Sequence, residues 1–68
     1  MSSSQVAIAA EYAEKALQVV NPGGTIAFPM FPNATKHDIR LLEKEFKAFR
    51  ARIQSYKINK LMVIIHVK

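Results

Sequence analysis

The sequence predicts a small α+β domain whose elements follow the order αβαβ. The middle of the chain carries apolar residues at spacings of three and four, which is the period of an amphipathic helix. The segment Leu61–Val67 is apolar on both alternating faces, which is typical of a strand covered from both sides. A strand, a crossing helix and a second strand form a right-handed βαβ unit when the two strands are parallel neighbours. We therefore expect a small sheet built around such a unit.

The first helix is predicted from about Ser4 to Val20. Its apolar arc is wider than a single packing contact requires, because Ile8, Tyr12 and Val19 extend it. We expect this flank of the helix to contact a second copy of the chain. The sequence Asn21-Pro22-Gly23-Gly24 ends the helix, since proline cannot continue a helix and glycine suits a reversal of the chain.

A short strand is predicted at Thr25–Phe28. Proline residues follow it at positions 29 and 32. Proline has no amide hydrogen to donate to a neighbouring strand, so it is confined to sheet edges and strand ends. We therefore expect this segment to be an edge strand or an extended lead-in.

The second helix is predicted to be long, about five turns, on the period of its apolar stripe. Thr35 is its expected N-cap, with Asp38 in the third helical position as the other half of a capping box. The stripe consists of Ile39, Leu42, Phe46, Phe49, Ile53 and Tyr56. Arg50, Arg52 and Lys57 are expected near the carboxyl end of this helix, where positive charge favours its dipole.

Two strands do not form an independently stable sheet, and the apolar final strand is left with an open edge. We therefore expect a twofold homodimer in which the final strands of two copies pair. Exchange of the long helices or of the terminal strand between copies is the alternative. The expected interface consists of Ile8, Tyr12, Val19, Leu41, Met62 and Ile64.

Composition limits the function. Residues 1–68 are predicted to form one basic domain, frayed at 1–4, with a net charge of +5 and no cysteine. We find no pairing of nucleophile and base, no glycine-rich phosphate loop and no metal-ligand spacing, so we expect a protein that is not an enzyme and has no cofactor, metal or small-molecule substrate. The first residues fit neither a secretory signal nor a membrane span, and we expect a cytoplasmic protein that does not bind membranes.

One face of the second helix is cationic. Four residues opposite the apolar stripe, here called the basic row, are spaced by four, four and three: Lys36, Arg40, Lys44 and Lys47. We interpret the chain as a small self-associating accessory protein that binds an acidic protein partner through this row, as a phage or mobile-element regulator or inhibitor would. The alternative is a nucleic-acid-binding protein that uses the same residues without reading sequence. A solvated face without a partner is the third interpretation.

Overall fold

The computed structural model describes residues 3–68. Its elements are α1 (Ser3–Val19), β1 (Thr25–Pro29), α2 (Lys36–Phe46), a 3-10 helix (Lys47–Arg52), β2 (Ile53–Ile58) and β3 (Met62–Val67). The three strands form one antiparallel sheet in the order β1-β3-β2. The molecule is therefore a small α+β fold, which confirms the predicted class.

Helix α1 begins at Ser3; of the residues expected to be frayed, those at positions 1 and 2 lie outside the described part of the chain. The helix ends at Val19 and a tight turn follows. Gly23 has a φ of 86°, a left-handed conformation that glycine adopts without steric cost. Its amide donates a 3.0 Å hydrogen bond to the carbonyl of Val67, which fixes the turn against the end of β3.

The pairing of β1 differs in part from the prediction. It is an edge strand, as expected, and within residues 3–68 its only neighbour in the sheet is β3. The two strands are antiparallel, with Ala27 opposite Ile64, so the predicted right-handed βαβ unit with parallel strands is wrong. The reason is an additional strand, β2, which reverses the chain between α2 and β3.

The second helix is shorter in the structure than predicted. Phe49 has φ −127° and ψ 27°, outside the helical region, and the chain becomes a strand at Ile53. The register of β2 on β3 shifts between Ile53 and Ser55, so the strand contains an irregularity of the β-bulge type. This shift places Ile53 and Tyr56, three residues apart, opposite Val67 and Ile65 on one face of the sheet. Two residues on one face of this strand are therefore three positions apart, which is also a spacing of residues on one face of a helix.

Strand β3 lies at the centre of the sheet. Its Val63, Ile65 and Val67 are buried, whereas Met62 and His66 on the other face are exposed. The prediction of a strand covered on both faces is thus wrong within one chain. In this fold β1 and β2 occupy both edges of β3, so β3 has no free edge for the predicted pairing of two final strands.

Both helices pack on the face of the sheet that carries Ile65. The Tyr12 ring of α1 makes an edge contact with Phe28 of β1, with centroids 4.9 Å apart. The Phe46 ring of α2 makes a similar contact with Tyr56 of β2 at 5.4 Å. The core between the layers includes Ala13, Leu17, Leu42, Phe46, Val63 and Ile65. The opposite face of the sheet, here called the open face, has neither helix on it.

Candidate binding surfaces

The basic row is a continuous feature of the surface. Lys36, Arg40 and Lys44 lie at intervals of one turn on α2, which puts their Cα atoms about 6 Å apart along the helix axis. Lys47 has φ −62° and ψ −27°, so the chain is still helical where it adds the fourth charge. All four side chains are exposed.

These charges are not neutralised locally. Among the residues that the structure describes, no side chain of the basic row takes part in an ion pair. Asp38, the nearest carboxylate in sequence to Lys36, is buried and accepts a 2.9 Å hydrogen bond from the Thr35 amide. The row therefore has no ion pair of its own, and the neighbouring Glu43 and Glu45 weaken its field only from a distance.

Helix α2 holds the row in a fixed position. At its start the Thr35 hydroxyl accepts a 3.1 Å hydrogen bond from the Asp38 amide, which completes the predicted capping box. At its end the Phe46 side chain is 1% exposed and its ring contacts those of Phe49 and Tyr56. An anchored helix loses little conformational entropy when its exposed face binds a partner.

The three basic residues that were predicted near the carboxyl end of the second helix lie outside that helix. Arg50 and Arg52 belong to the 3-10 helix and Lys57 belongs to β2, so none of the three lies on α2. The expectation that they favour the dipole of the long helix is therefore wrong. The Arg52 guanidinium instead donates a hydrogen bond to the carbonyl of Leu17 near the end of α1.

The structure brings together part of the predicted interface. Ile8 and Tyr12 are 65% and 55% exposed and lie beside Phe28 of β1. Together with Pro29 and Phe31 they line an apolar groove of about 390 Å³. Phe28, Pro29 and Phe31 were missed by the sequence analysis, which treated them only as an edge strand and its continuation.

The rest of the predicted interface is dispersed. Val19 is 80% exposed at the end of α1, and Leu41 is half-buried and packs against the core from α2. Met62 and Ile64 lie on the open face of the sheet. No single flat surface includes all six residues, since the helices and the open face are on opposite sides of the sheet.

A second cavity of about 280 Å³ lies between α1 and the end of α2. Glu11, Glu14 and Glu45 contribute to its lining, together with three alanines and Phe49. Within the described residues no group of three histidine, cysteine, aspartate or glutamate side chains could hold a metal ion. None of the helices in that part of the chain is both long and apolar enough to cross a bilayer.

The two histidines of the chain are both exposed. His37 is exposed beside the first residue of α2. His66 is exposed on the open face, where its Nδ1 lies 3.3 Å from the Thr25 hydroxyl. A hydroxyl and an imidazole in hydrogen-bond contact need a third group that orients the base before they act in nucleophilic catalysis. Among the described residues the structure gives this pair no such group.

Comparison with protein families, with curated proteins and with solved structures finds no match for this chain.

Proposed function

We propose that the protein is a non-enzymatic interaction module that binds an acidic protein partner through the basic row. The observation that supports this most is the exposure of four unpaired cations in line on one anchored helix. Like charges at this spacing destabilise an isolated helix by a few tenths of a kcal/mol per pair. An acidic partner relieves that repulsion and gains the attraction of a protein whose net charge is +5.

The surroundings of the row favour an acidic protein over a single-stranded nucleic acid. Single-stranded nucleic acids are bound by combining positive charge with aromatic rings on which the bases stack. Here Phe46 is buried and Phe49 is half-buried, so α2 and the 3-10 helix offer no exposed phenylalanine, tyrosine or tryptophan ring beside the row. Small side chains, Ala48 and Ala51, continue the exposed surface past Lys47. They allow the close approach of a folded surface.

Charge reversal tests the proposal. Replacing Arg40, Lys44 and Lys47 by glutamate changes the formal charge from +5 to −1 and reverses the field over the row. The matched control replaces three other exposed lysines by glutamate: Lys57, Lys60 and Lys68. It has the same net charge as the basic-row variant, but the reversed charges lie away from the row. The proposal expects capture of an acidic protein from a nuclease-treated lysate by the wild type and by the control variant. It expects no capture by the basic-row variant.

Two results would contradict this proposal. Equal capture by both variants would show that the partner contacts another face. Loss of all capture after nuclease treatment would favour nucleic acid, and duplex binding should then weaken with salt at a log–log slope of about −0.9 per phosphate contact. A protein interface with apolar anchors depends less on salt, because most of its energy is concentrated in a few buried side chains.

A further inference from the structure

The sheet has two free edges, and they are not equivalent. Strand β1 forms one edge and β2 forms the other. An unpaired edge is a template for a further strand unless charges, bulges or proline residues protect it. The comparison of the two edges within this one molecule indicates where another strand can add.

The β2 edge is protected. Its strand carries Lys57, and Arg52 and Lys60 flank it. The register shift between Ile53 and Ser55 also disturbs its hydrogen-bonding pattern. Lysine residues and bulges are the devices by which natural proteins prevent pairing at an edge.

The β1 edge has almost none of this protection. The chain carries no charged residue between positions 21 and 35, and β1 pairs with β3 in an uninterrupted register. Its single protective residue is Pro29, at the end of the strand. In a protein with a net charge of +5, a second copy therefore meets less repulsion at this edge than at the β2 edge.

The hydrogen-bonding groups of this edge follow from the pairing on its other side. The Met30 amide donates to Leu61 and the Val67 amide donates to Gly24, so the even-numbered residues of this segment bond to β3. Antiparallel strands alternate, and the backbone groups of the odd-numbered residues therefore point outward. The free edge consists of the N–H and C=O groups of Thr25 and Ala27 and the C=O of Pro29.

We propose that a second copy of this chain adds to the β1 edge, with Ala27 on the twofold axis. In this register the two copies of Ala27 exchange their hydrogen bonds, and each Thr25 N–H meets the Pro29 carbonyl of the other copy. Because Pro29 has no amide hydrogen, the Thr25 carbonyl of the other copy receives no hydrogen bond. The outward N–H groups of Thr25 and Ala27 each have an acceptor. The edge is thus complementary to itself except at the Thr25 carbonyl, which stays without a donor in each copy.

The apolar groove is continuous with this edge. Phe28 and Pro29 belong to β1 and to the lining of the groove, which Ile8 and Tyr12 close on the helix side. In the antiparallel pair, Phe28 of one copy lies beside Ile26 of the other, at the shorter of the two spacings between opposite residues. The two α1 helices then face each other across the axis and cover the exposed side chains of Ile8 and Tyr12. One association therefore satisfies the free edge and buries the groove.

The test is the mass in solution of two charge-matched variants. Ala27 and Ser55 are both exposed on the open face, one on each edge strand. Ala27→Lys places two like charges opposite each other on the axis, whereas Ser55→Lys adds the same charge to the other edge. Light scattering at about 100 μM should give close to twice the 7.7 kDa of one chain for the wild type and Ser55→Lys, and a lower average mass for Ala27→Lys, whose like-charge pair raises the dissociation constant of the dimer up to about fivefold. Circular dichroism verifies that each variant is folded.

Hydrogen exchange of the wild type keeps the proposal testable if Ala27→Lys does not fold. The amides of Thr25 and Ala27 should exchange more slowly as the protein concentration rises, while the outward amides of Tyr56 and Ile58 on the β2 edge should not change. A wild type that is monomeric at about 100 μM would overturn the proposal. A dimer in which the Thr25 and Ala27 amides remain unprotected, or a folded Ala27→Lys variant that dimerises as tightly as Ser55→Lys, would also overturn it.

Discussion

The guanidinium of Arg52 donates a 2.6 Å hydrogen bond to the backbone carbonyl of Leu17, in the last turn of α1. The last carbonyls of a helix have no partner within the helix, and positive charge favours this end of the helix dipole. The bond joins segments that are 35 residues apart in sequence. Arg52 therefore connects the 3-10 helix, which continues the basic row, to the first helix of the domain.

Arg52→Ala should destabilise the domain by about 1 kcal/mol, because it removes a charge-assisted hydrogen bond that is partly open to solvent. Arg50→Ala is the matched control, since Arg50 is exposed on the same 3-10 helix and has no such bond. It should change the free energy of unfolding by less than about 0.5 kcal/mol. Urea denaturation measures both values, and equal effects of the two variants would contradict this role of Arg52.

The N-cap of α2 gives a second prediction. Thr35→Ala removes the hydroxyl that accepts from the Asp38 amide and should cost about 1 kcal/mol, as at other helix caps. Thr35→Ser keeps the acceptor and should retain most of the stability. Thermal denaturation followed by circular dichroism separates the two variants. A serine variant as unstable as the alanine variant would show that the methyl group, not the cap, is responsible.

Phe46 gives the third prediction, because its side chain is buried and joins α2 to the sheet. Phe46→Ala should cost about 3–5 kcal/mol, which approaches the whole stability of a domain of this size. The variant should therefore be largely unfolded at room temperature. Phe46→Leu keeps most of the volume and should cost less than about 1.5 kcal/mol. A cooperatively folded Phe46→Ala variant with near-native stability would contradict the central position of this ring.

The sequence predicted the two helix starts, the capping box, the edge strand and the charged face of α2 correctly, because each depends on local chemistry. Thr35 and Asp38 are three residues apart, and their hydrogen bonds form within one turn. Pro29 restricts its strand to an edge through its own missing amide hydrogen. Such features need no knowledge of distant parts of the chain.

The sequence pattern could not predict the order of the strands, because this order depends on contacts between distant segments. The irregularity between Ile53 and Ser55 gave β2 an apolar spacing of three, which hid a strand within a helical pattern. Without β2 in the sheet, β3 was left with an apparent free edge, and the dimer was predicted there. The groove beside Phe28 depends on the packing of α1 against β1, and no local signal in Thr25–Pro29 indicated it.

The most direct test of the proposed function is a titration of the ¹⁵N-labelled protein with a short polyglutamate peptide, followed by two-dimensional NMR at low salt. The account predicts chemical-shift changes at the amides of α2 and the 3-10 helix around Lys36, Arg40, Lys44 and Lys47. The variant with glutamate in place of Arg40, Lys44 and Lys47 should show no such changes. The control variant with glutamate in place of Lys57, Lys60 and Lys68 should show the same changes as the wild type. Shifts centred instead on Lys57 and His66 of the open face, or no shifts at all, would contradict the assignment of the basic row as the binding surface.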